Sequence, residues 1–128
     1  YEKFSLNYIQ QIISSTYTEG VPVIYYSRSK SNFDKLKNLD IDCIGISSEN
    51  NLGDMYKFFD EKFAIQGNLN TDILREDKDT IQKGVIKTLE TFPFETGHVF
   101  NLGTGITPDI HPDKVSYLVD QVRELSVK

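Results

Sequence analysis

Short apolar runs alternate with longer amphipathic stretches along the chain. The first run, Val21–Tyr26, is rich in β-branched and aromatic residues and has no polar alternation. That pattern is typical of a strand buried on both faces. Three similar runs follow it. The pattern therefore predicts four strands, at Val21–Tyr26, Asp42–Ile46, Phe63–Gly67 and His98–Leu102.

The stretches around these runs have helical periodicity. In the first of them, Phe4, Tyr8 and Ile12 recur every four residues and predict one apolar stripe. The last begins with a capping pattern, in which His111 is the cap residue and Pro112 occupies the first turn. The predicted helices are Phe4–Thr16, Asn32–Leu39, Leu52–Phe59, a helix from Asp77 to Phe92, and the helix that starts at His111.

Strict alternation of helices and strands with short connections predicts an α/β fold with a parallel sheet and right-handed crossovers. Alternation alone does not separate an open doubly wound sheet from an arc of a barrel. In both architectures the chemistry lies on the loops after the carboxyl ends of the strands. In this chain those loops are Ser27–Lys30, Ser47–Asn50, Asn68–Asn70 and Asn101–Asp109.

Composition narrows the classes of function. The formal net charge of −5 does not favour binding to nucleic acid or to anionic membranes. Cys43 is the only cysteine, so no internal disulfide can form, and a reducing cytoplasm is the simplest compartment. The 128 residues are enough for one domain. The chain starts at Tyr1 with neither Met nor a signal-peptide pattern, so we expect it to be a piece of a longer protein.

Other residues with chemical potential have simpler interpretations. His98 and His111 are far apart and have no thiol nearby, so no metal site is predicted. Cys43 lies inside an apolar run and is expected to be a small buried residue. Arg28 and Lys30 follow a strand on the presumed functional side, where a solvated loop is the expected setting.

Two motifs carry a resemblance to a known family. The string Gln66-Gly67-Asn68-Leu69-Asn70 follows a predicted strand, and Asn101–Asp109 reads Asn-Leu-Gly-Thr-Gly-Ile-Thr-Pro-Asp before a helix that starts with proline. Together they resemble the last two strand–loop units of the uroporphyrinogen decarboxylases, and Val21–Tyr26 and Asp42–Ile46 are similar to that family's fifth and sixth strands. The resemblance implies that residues 1–128 are a single segment, the C-terminal half of a TIM (β/α)8 barrel.

The resemblance also implies an activity. Members of the family are cofactor-free, cytoplasmic, homodimeric lyases of porphyrin and heme biosynthesis, and they decarboxylate the four acetate side chains of uroporphyrinogen to give coproporphyrinogen. The family's arginine-rich loop, central aspartate and tyrosine belong to its first three strands, and a serine belongs to the fourth. None of those segments corresponds to this chain, so we assign no catalytic residue to it.

Substrate-binding candidates are nevertheless implied on the last two loops. They are Thr104, Asn101, Gly103, Gly105 and Asn68. Thr104 stands where the family usually has histidine, and threonine cannot act as a general acid at neutral pH. The flanking glycines suggest positive φ or close approach of a ligand. The two asparagines either donate to a substrate carboxylate or cap their own loops.

One further departure from the family pattern, one excluded relative and two alternatives complete the expectations. Ser47-Ser48 stands where the family tends to have Asp-Trp, and the His-x-Cys zinc motif of methyltransferases on this fold is missing. The alternatives are a diverged, non-catalytic relative that binds a tetrapyrrole or another polyanion, and a structural half-barrel that serves as an interaction module. In each case we expect the chain to pair with itself or with a missing N-terminal half.

Overall fold

The computed structural model of the chain describes residues 2–16, 20–27 and 32–127; Arg28 and Lys30 lie outside these residues. A π-helical segment, Glu2–Leu6, leads into the first α-helix. The helices are α1 (Asn7–Thr16), α2 (Phe33–Leu36), α3 (Leu52–Phe58), α4 (Lys78–Glu90) and α5 (Pro112–Leu125), and a 3-10 helix spans Thr71–Arg75. The strands are β1 (Ile24–Ser27), β2 (Cys43–Ile46), β3 (Ala64–Leu69) and β4 (His98–Leu102).

Within the described residues, the four strands form one parallel sheet in the order β1-β2-β3-β4. Ile24 pairs with Cys43, and Cys43 pairs in turn with Ala64. Ile65 pairs with His98 at the last junction. A doubly wound sheet reverses its order at a switch point, whereas a barrel winds onward in one direction. The prediction of a half-barrel is therefore confirmed.

One face of the sheet carries the hydrophobic core. Ile44, Ile46 and Ile65 have no exposed surface, because the helices cover them. Side chains alternate between the two faces along each strand, so their neighbours in sequence lie on the other face. A second core cluster joins α4 and α5 to the end of β3, and its fully buried members include Ile81 and Val85.

The other face of the sheet is open. Ile24 and Tyr26 of β1 are 52% and 45% exposed, and Val99 of β4 is 44% exposed. The strand register places these residues on the same face as Cys43 and Gly45. This is the face that a complete barrel would enclose, and we call it the open face.

The apolar stripe that we predicted for the first helix is wrong. Phe4, Tyr8 and Ile12 are 80%, 59% and 59% exposed, whereas Leu6 and Ile13 are buried in the core. The helix has apolar residues on two adjacent stripes, and its periodicity cannot tell which of them meets the rest of the fold. Tertiary packing selects the stripe of Leu6 and Ile13.

Local sequence signals correctly predicted where α4 and α5 begin. Asp77 caps α4 by accepting a hydrogen bond from the backbone N–H of Thr80, and His111 accepts one from the backbone N–H of Asp113 at the start of α5. Gly84 allows close packing inside α4, since a Cβ there would lie 2.3 Å from Cδ1 of Ile73. The first strand and the second helix are shorter than the predicted ranges Val21–Tyr26 and Asn32–Leu39.

No helix among the described residues is long and apolar enough to cross a membrane.

Candidate ligand-binding site

A groove of about 650 Å³ opens at the carboxyl ends of the strands, on the side where barrel enzymes place their chemistry. All four strands and the loop after β4 contribute to it. Its lining residues are Tyr26, Gly45, Ile46, Gln66, Asn101, Leu102, Thr104, Gly105, Ile106 and Thr107. None of these residues carries a formal charge, so this wall of the site offers a ligand only neutral polar groups and apolar surface.

Thr104 lies on the rim of the groove, as the resemblance implied, and its side chain is tied to another loop. The buried hydroxyl of Thr71 donates to the carbonyl oxygen of Thr104 at 2.9 Å, and the two hydroxyl oxygens are also 2.9 Å apart. Thr71 is the first residue of the 3-10 helix that follows β3. Sequence reasoning missed this residue, because no spacing rule links threonines 33 positions apart.

The two glycines beside Thr104 differ from each other. Neither has a positive φ, so that expectation is wrong. Gly103 is buried against the loop after β2, where an added Cβ would come within 2.5 Å of the Ser48 backbone nitrogen. A Cβ on Gly105 would meet nothing within 4 Å, and Gly105 lines the groove. The close approach at Gly103 is therefore to the protein's own backbone rather than to a ligand.

The two candidate asparagines also have different settings. Asn68 is buried, and its amide nitrogen donates to the carbonyl oxygens of Ser47 and Asn50 at 2.9 and 2.6 Å. Its amide hydrogens thus hold the loop after β2, which is a neighbouring loop and not the loop of Asn68 itself. Asn101 is exposed on the groove, and its Oδ1 accepts from the backbone N–H of Leu102 at 2.8 Å. Its amide nitrogen remains the group that can donate to a ligand.

Tyr26 is a groove residue that sequence reasoning did not single out. Its ring lies over Gly45, where an added Cβ would be 3.0 Å from Cδ2 of the ring. Its hydroxyl donates to the carbonyl oxygen of Gly103 at 2.9 Å, across the open face. The signal available in the sequence was a tyrosine at the end of β1 beside a glycine in the next strand. That pair by itself does not predict the hydrogen bond.

Arg75 links the far end of the loop after β4 to the 3-10 helix. We call its contacts with Thr107 and Asp109 the arginine strap. Arg75 donates to Asp109 at 2.7 Å and to Thr107 Oγ1 at 2.7 Å, and it also pairs with Asp72. Hydrogen bonds from Arg75, first, and from the Thr107 side chain, second, lower the pKa of the Asp109 carboxyl to about 2, and the bond to Asp109 raises the pKa of Arg75. The 3-10 helix after β3 and the loop after β4 are therefore joined at the rim of the groove.

Cys43 and His98 are the remaining titratable candidates, and both are packed inside the fold away from the groove. Burial raises the pKa of the Cys43 thiol, and burial lowers the pKa of His98, whose Nε2 lies 2.7 Å from the carbonyl oxygen of Gly67. The described residues hold no group of three or more histidine, cysteine, aspartate or glutamate side chains that could bind a metal ion.

Comparison with known proteins gives this groove its context. The family model described as uroporphyrinogen decarboxylase matches residues 1–125. The chain belongs to the uroporphyrinogen decarboxylase family. A uroporphyrinogen decarboxylase of Pseudomonas putida is 32% identical to it over 133 aligned positions, and one of Legionella pneumophila is 33% identical over 129.

The match covers the whole of this chain but only part of the relatives. The alignment takes in 100% of the chain and 38% of the Pseudomonas enzyme, so the chain spans well under half the length of that relative. The solved structure of a methyltransferase from Methanosarcina mazei superimposes on the chain with a TM-score of 0.76. The superposition covers 98% of this chain and 37% of the methyltransferase. Its sequence is 16% identical, so this likeness supports the fold alone.

Proposed function

We propose that this chain works as the C-terminal segment, residues 1–128, of a uroporphyrinogen decarboxylase. In that role it supplies one wall of the site for the tetrapyrrole substrate. The supporting observation is that both family motifs contribute to one groove, which is lined by Gln66 from the first motif and by Asn101, Leu102 and Thr104–Thr107 from the second. No cofactor is part of the proposal. The proposed ligand contacts are Thr104, Asn101 and Gly105.

The described wall cannot supply the chemistry by itself. Decarboxylation of a substrate with eight carboxylates needs cations and a preorganised group aimed at developing charge. The groove offers neutral hydrogen bonds, each contributing about 1 kcal/mol net. Enzymatic acceleration requires about 8 kcal/mol or more. We therefore expect weak binding by this chain alone, and turnover only when a second segment supplies the charged groups.

The same reasoning sets the proposed partners. β1 and β4 are edge strands of the described sheet, and the open face exposes Ile24, Tyr26 and Val99. Unpaired edges and exposed apolar surface favour association. We propose that the chain pairs with an N-terminal half-barrel or with a second copy of itself, and that the parent protein is a cytoplasmic homodimer. The single cysteine, which is buried, fits that compartment.

The experiment is an anaerobic decarboxylation assay. The purified chain is incubated with uroporphyrinogen, alone and with the separately expressed N-terminal segment of a uroporphyrinogen decarboxylase. We expect product only in the mixture. Product formed by the chain alone would refute the proposed division of labour, and a mixture that assembles without forming product would refute the proposed activity.

A second candidate is a non-catalytic relative that binds a tetrapyrrole, and the threonine at position 104 is what favours it. Thr104→His separates the two candidates within the same mixture. If the chain is an enzyme with a weakened site, the histidine variant should raise the rate, because histidine can donate a proton near neutral pH. If the chain only binds, the variant should leave the assay without product. Thr107→His, on the same rim, is the matched control.

A further inference from the structure

A second pocket lies outside the groove, between α4 and the loops that follow β2 and β3. It has a volume of about 400 Å³ and shares no lining residue with the groove. We call it the α4 pocket. Most of its lining side chains are polar, so a ligand there would be held by hydrogen bonds more than by apolar contact.

The floor of the α4 pocket carries the side-chain oxygen of Asn68. Asn68 is 7% exposed, and its amide nitrogen donates to the carbonyl oxygens of Ser47 and Asn50. These two carbonyls fix the orientation of the amide, because the reverse orientation would set oxygen against oxygen. Oδ1 of Asn68 therefore faces away from them, and among the described residues it has no hydrogen-bond partner.

Thr88 adds a second buried polar atom to the floor. It belongs to α4 and is 8% exposed, and its hydroxyl has no hydrogen-bond partner in the part of the chain that the structure describes. Within that part, every side-chain nitrogen or oxygen that is sealed from solvent has a partner. Oδ1 of Asn68 and Oγ1 of Thr88 are therefore open to the α4 pocket, which both residues line. Buried polar atoms without a protein partner take one from a ligand or from water.

The rim of the α4 pocket carries donors. Asn51 and Asn70 each accept with Oδ1 from a backbone N–H farther along the chain, at 3.0 Å, so their amide nitrogens are left to donate. Lys87 adds an ammonium group. Glu49 lies on the same rim, and its carboxylate limits how much negative charge the rim accepts. The rim is therefore matched to a single carboxylate.

We propose that the α4 pocket binds a short hydroxy-carboxylate, with its hydroxyl group at Asn68 and Thr88 and its carboxylate at Lys87. The floor provides an amide oxygen and a hydroxyl but no carboxylate. A buried ammonium group would lack the paired charge that burial requires, so the floor selects a neutral donor. The inference does not depend on the proposed function, because no residue of the groove takes part.

Three small acids that differ in one substituent test the proposal. Lactate has a hydroxyl group, propionate a hydrogen and alanine an ammonium group on the same carbon. Each is titrated into the unchanged chain at constant ionic strength, and NMR follows the amide signals of the loops after β2 and β3. We expect lactate to bind with a dissociation constant of about 1–10 mM, about two- to tenfold more tightly than propionate, which is the difference that one hydrogen bond makes. Alanine should bind no better than propionate.

Two pairs of variants locate the contacts. Thr88→Val should reduce the ratio of lactate to propionate affinity toward one, whereas Thr88→Ser keeps the hydroxyl and should preserve the ratio. Lys87→Met should weaken both acids equally, by up to about fivefold, as the loss of an exposed charge contact does. Lys83→Met, one turn earlier on α4, should change neither affinity. Thermal unfolding checks that the variants fold, and the loss of the Thr88 hydroxyl leaves no protein group unpaired.

Each contrary outcome overturns a particular step. Equal affinity for lactate and propionate would overturn the role of the floor, and tighter binding of alanine would show that the floor selects a cation. A ratio that survives in Thr88→Val would exclude the contact between that hydroxyl and the ligand. If none of the acids shifts the loop signals in a saturable way, the α4 pocket is not a carboxylate site. The decarboxylation assay tests the groove separately from all of these outcomes.

Discussion

The two faces of the sheet are built from similar residues and have opposite surroundings. Ile44 lies under the helices and has no exposed surface, whereas Ile24, on the neighbouring strand, is 52% exposed on the open face. Tyr26 and Val99 share the open face and are 45% and 44% exposed. The helix-covered face holds this half of the fold together, and the open face carries surface that the half does not use for its own stability.

This difference separates the residues that fold the chain from those that we propose to contact a ligand. The groove residues Tyr26, Gly45, Gln66 and Asn101 project from the open face or end on it. Tyr26, for example, donates a hydrogen bond to the carbonyl oxygen of Gly103 in the loop after β4. Substitutions on the open face should therefore affect binding and assembly, and substitutions under the helices should affect stability.

The largest expected effect comes from truncating isoleucines on the two faces. Ile44→Ala should lower the free energy of unfolding by about 2–5 kcal/mol, because it leaves a cavity in a packed core. Ile24→Ala should change it by no more than about 0.5 kcal/mol, as for most surface substitutions. Urea unfolding of the isolated chain measures both. Equal losses from the two variants would contradict the comparison of the faces.

A smaller contrast is expected within the glycine motif. Gly103→Ala would place a Cβ 2.5 Å from the Ser48 nitrogen, so two loops must move apart, at a cost of about 1–3 kcal/mol. Gly105→Ala meets open space at a φ that other residues adopt, and it should leave stability within about 0.5 kcal/mol. Thermal unfolding of both variants is the measurement. If Gly105→Ala were the more damaging, the assigned role of Gly103 would be wrong.

The smallest effect concerns the strap. The pKa of Asp109 is held at about 2, below the ordinary value of 3.8. A depressed folded-state pKa means that the pairing contributes fully above 3.8 and is lost as the pH falls toward 2. In Arg75→Met we expect the pKa of the Asp109 carboxyl to rise toward its ordinary value, while the hydrogen bond from the Thr107 side chain still holds it below that value. An NMR titration of Asp109 reads this directly, and the same low pKa in the variant would show that Arg75 is not its cause.

Sequence patterns predicted those parts of the molecule that depend on neighbouring residues. The capping by Asp77 and His111 and the order of the strands follow from local signals and chain connectivity. The cross-loop contacts were missed, because Arg75 and Asp109 are 34 positions apart and the hydroxyl of Tyr26 reaches Gly103 across 77. No periodicity encodes such pairs.

The choice between two equivalent local solutions was also beyond sequence reasoning. The first helix has two apolar stripes, and packing buried Leu6 and Ile13 rather than Phe4 and Tyr8. Gly103 is required for contact between two loops rather than for an unusual backbone angle. In both cases a distant segment decides which property of the residue is used.

The central claim is that the open face is a surface that a second half-barrel completes. Light scattering in dilute solution, with the chain alone and with the separately expressed N-terminal segment, tests it most directly. We expect a mass above that of the single chain, and we expect Ile24→Lys to weaken the association. Ile86→Lys, on the exposed side of α4, should not. A chain that stays monomeric in the presence of the N-terminal segment, or an Ile24→Lys variant that assembles as the unchanged chain does, would contradict the account.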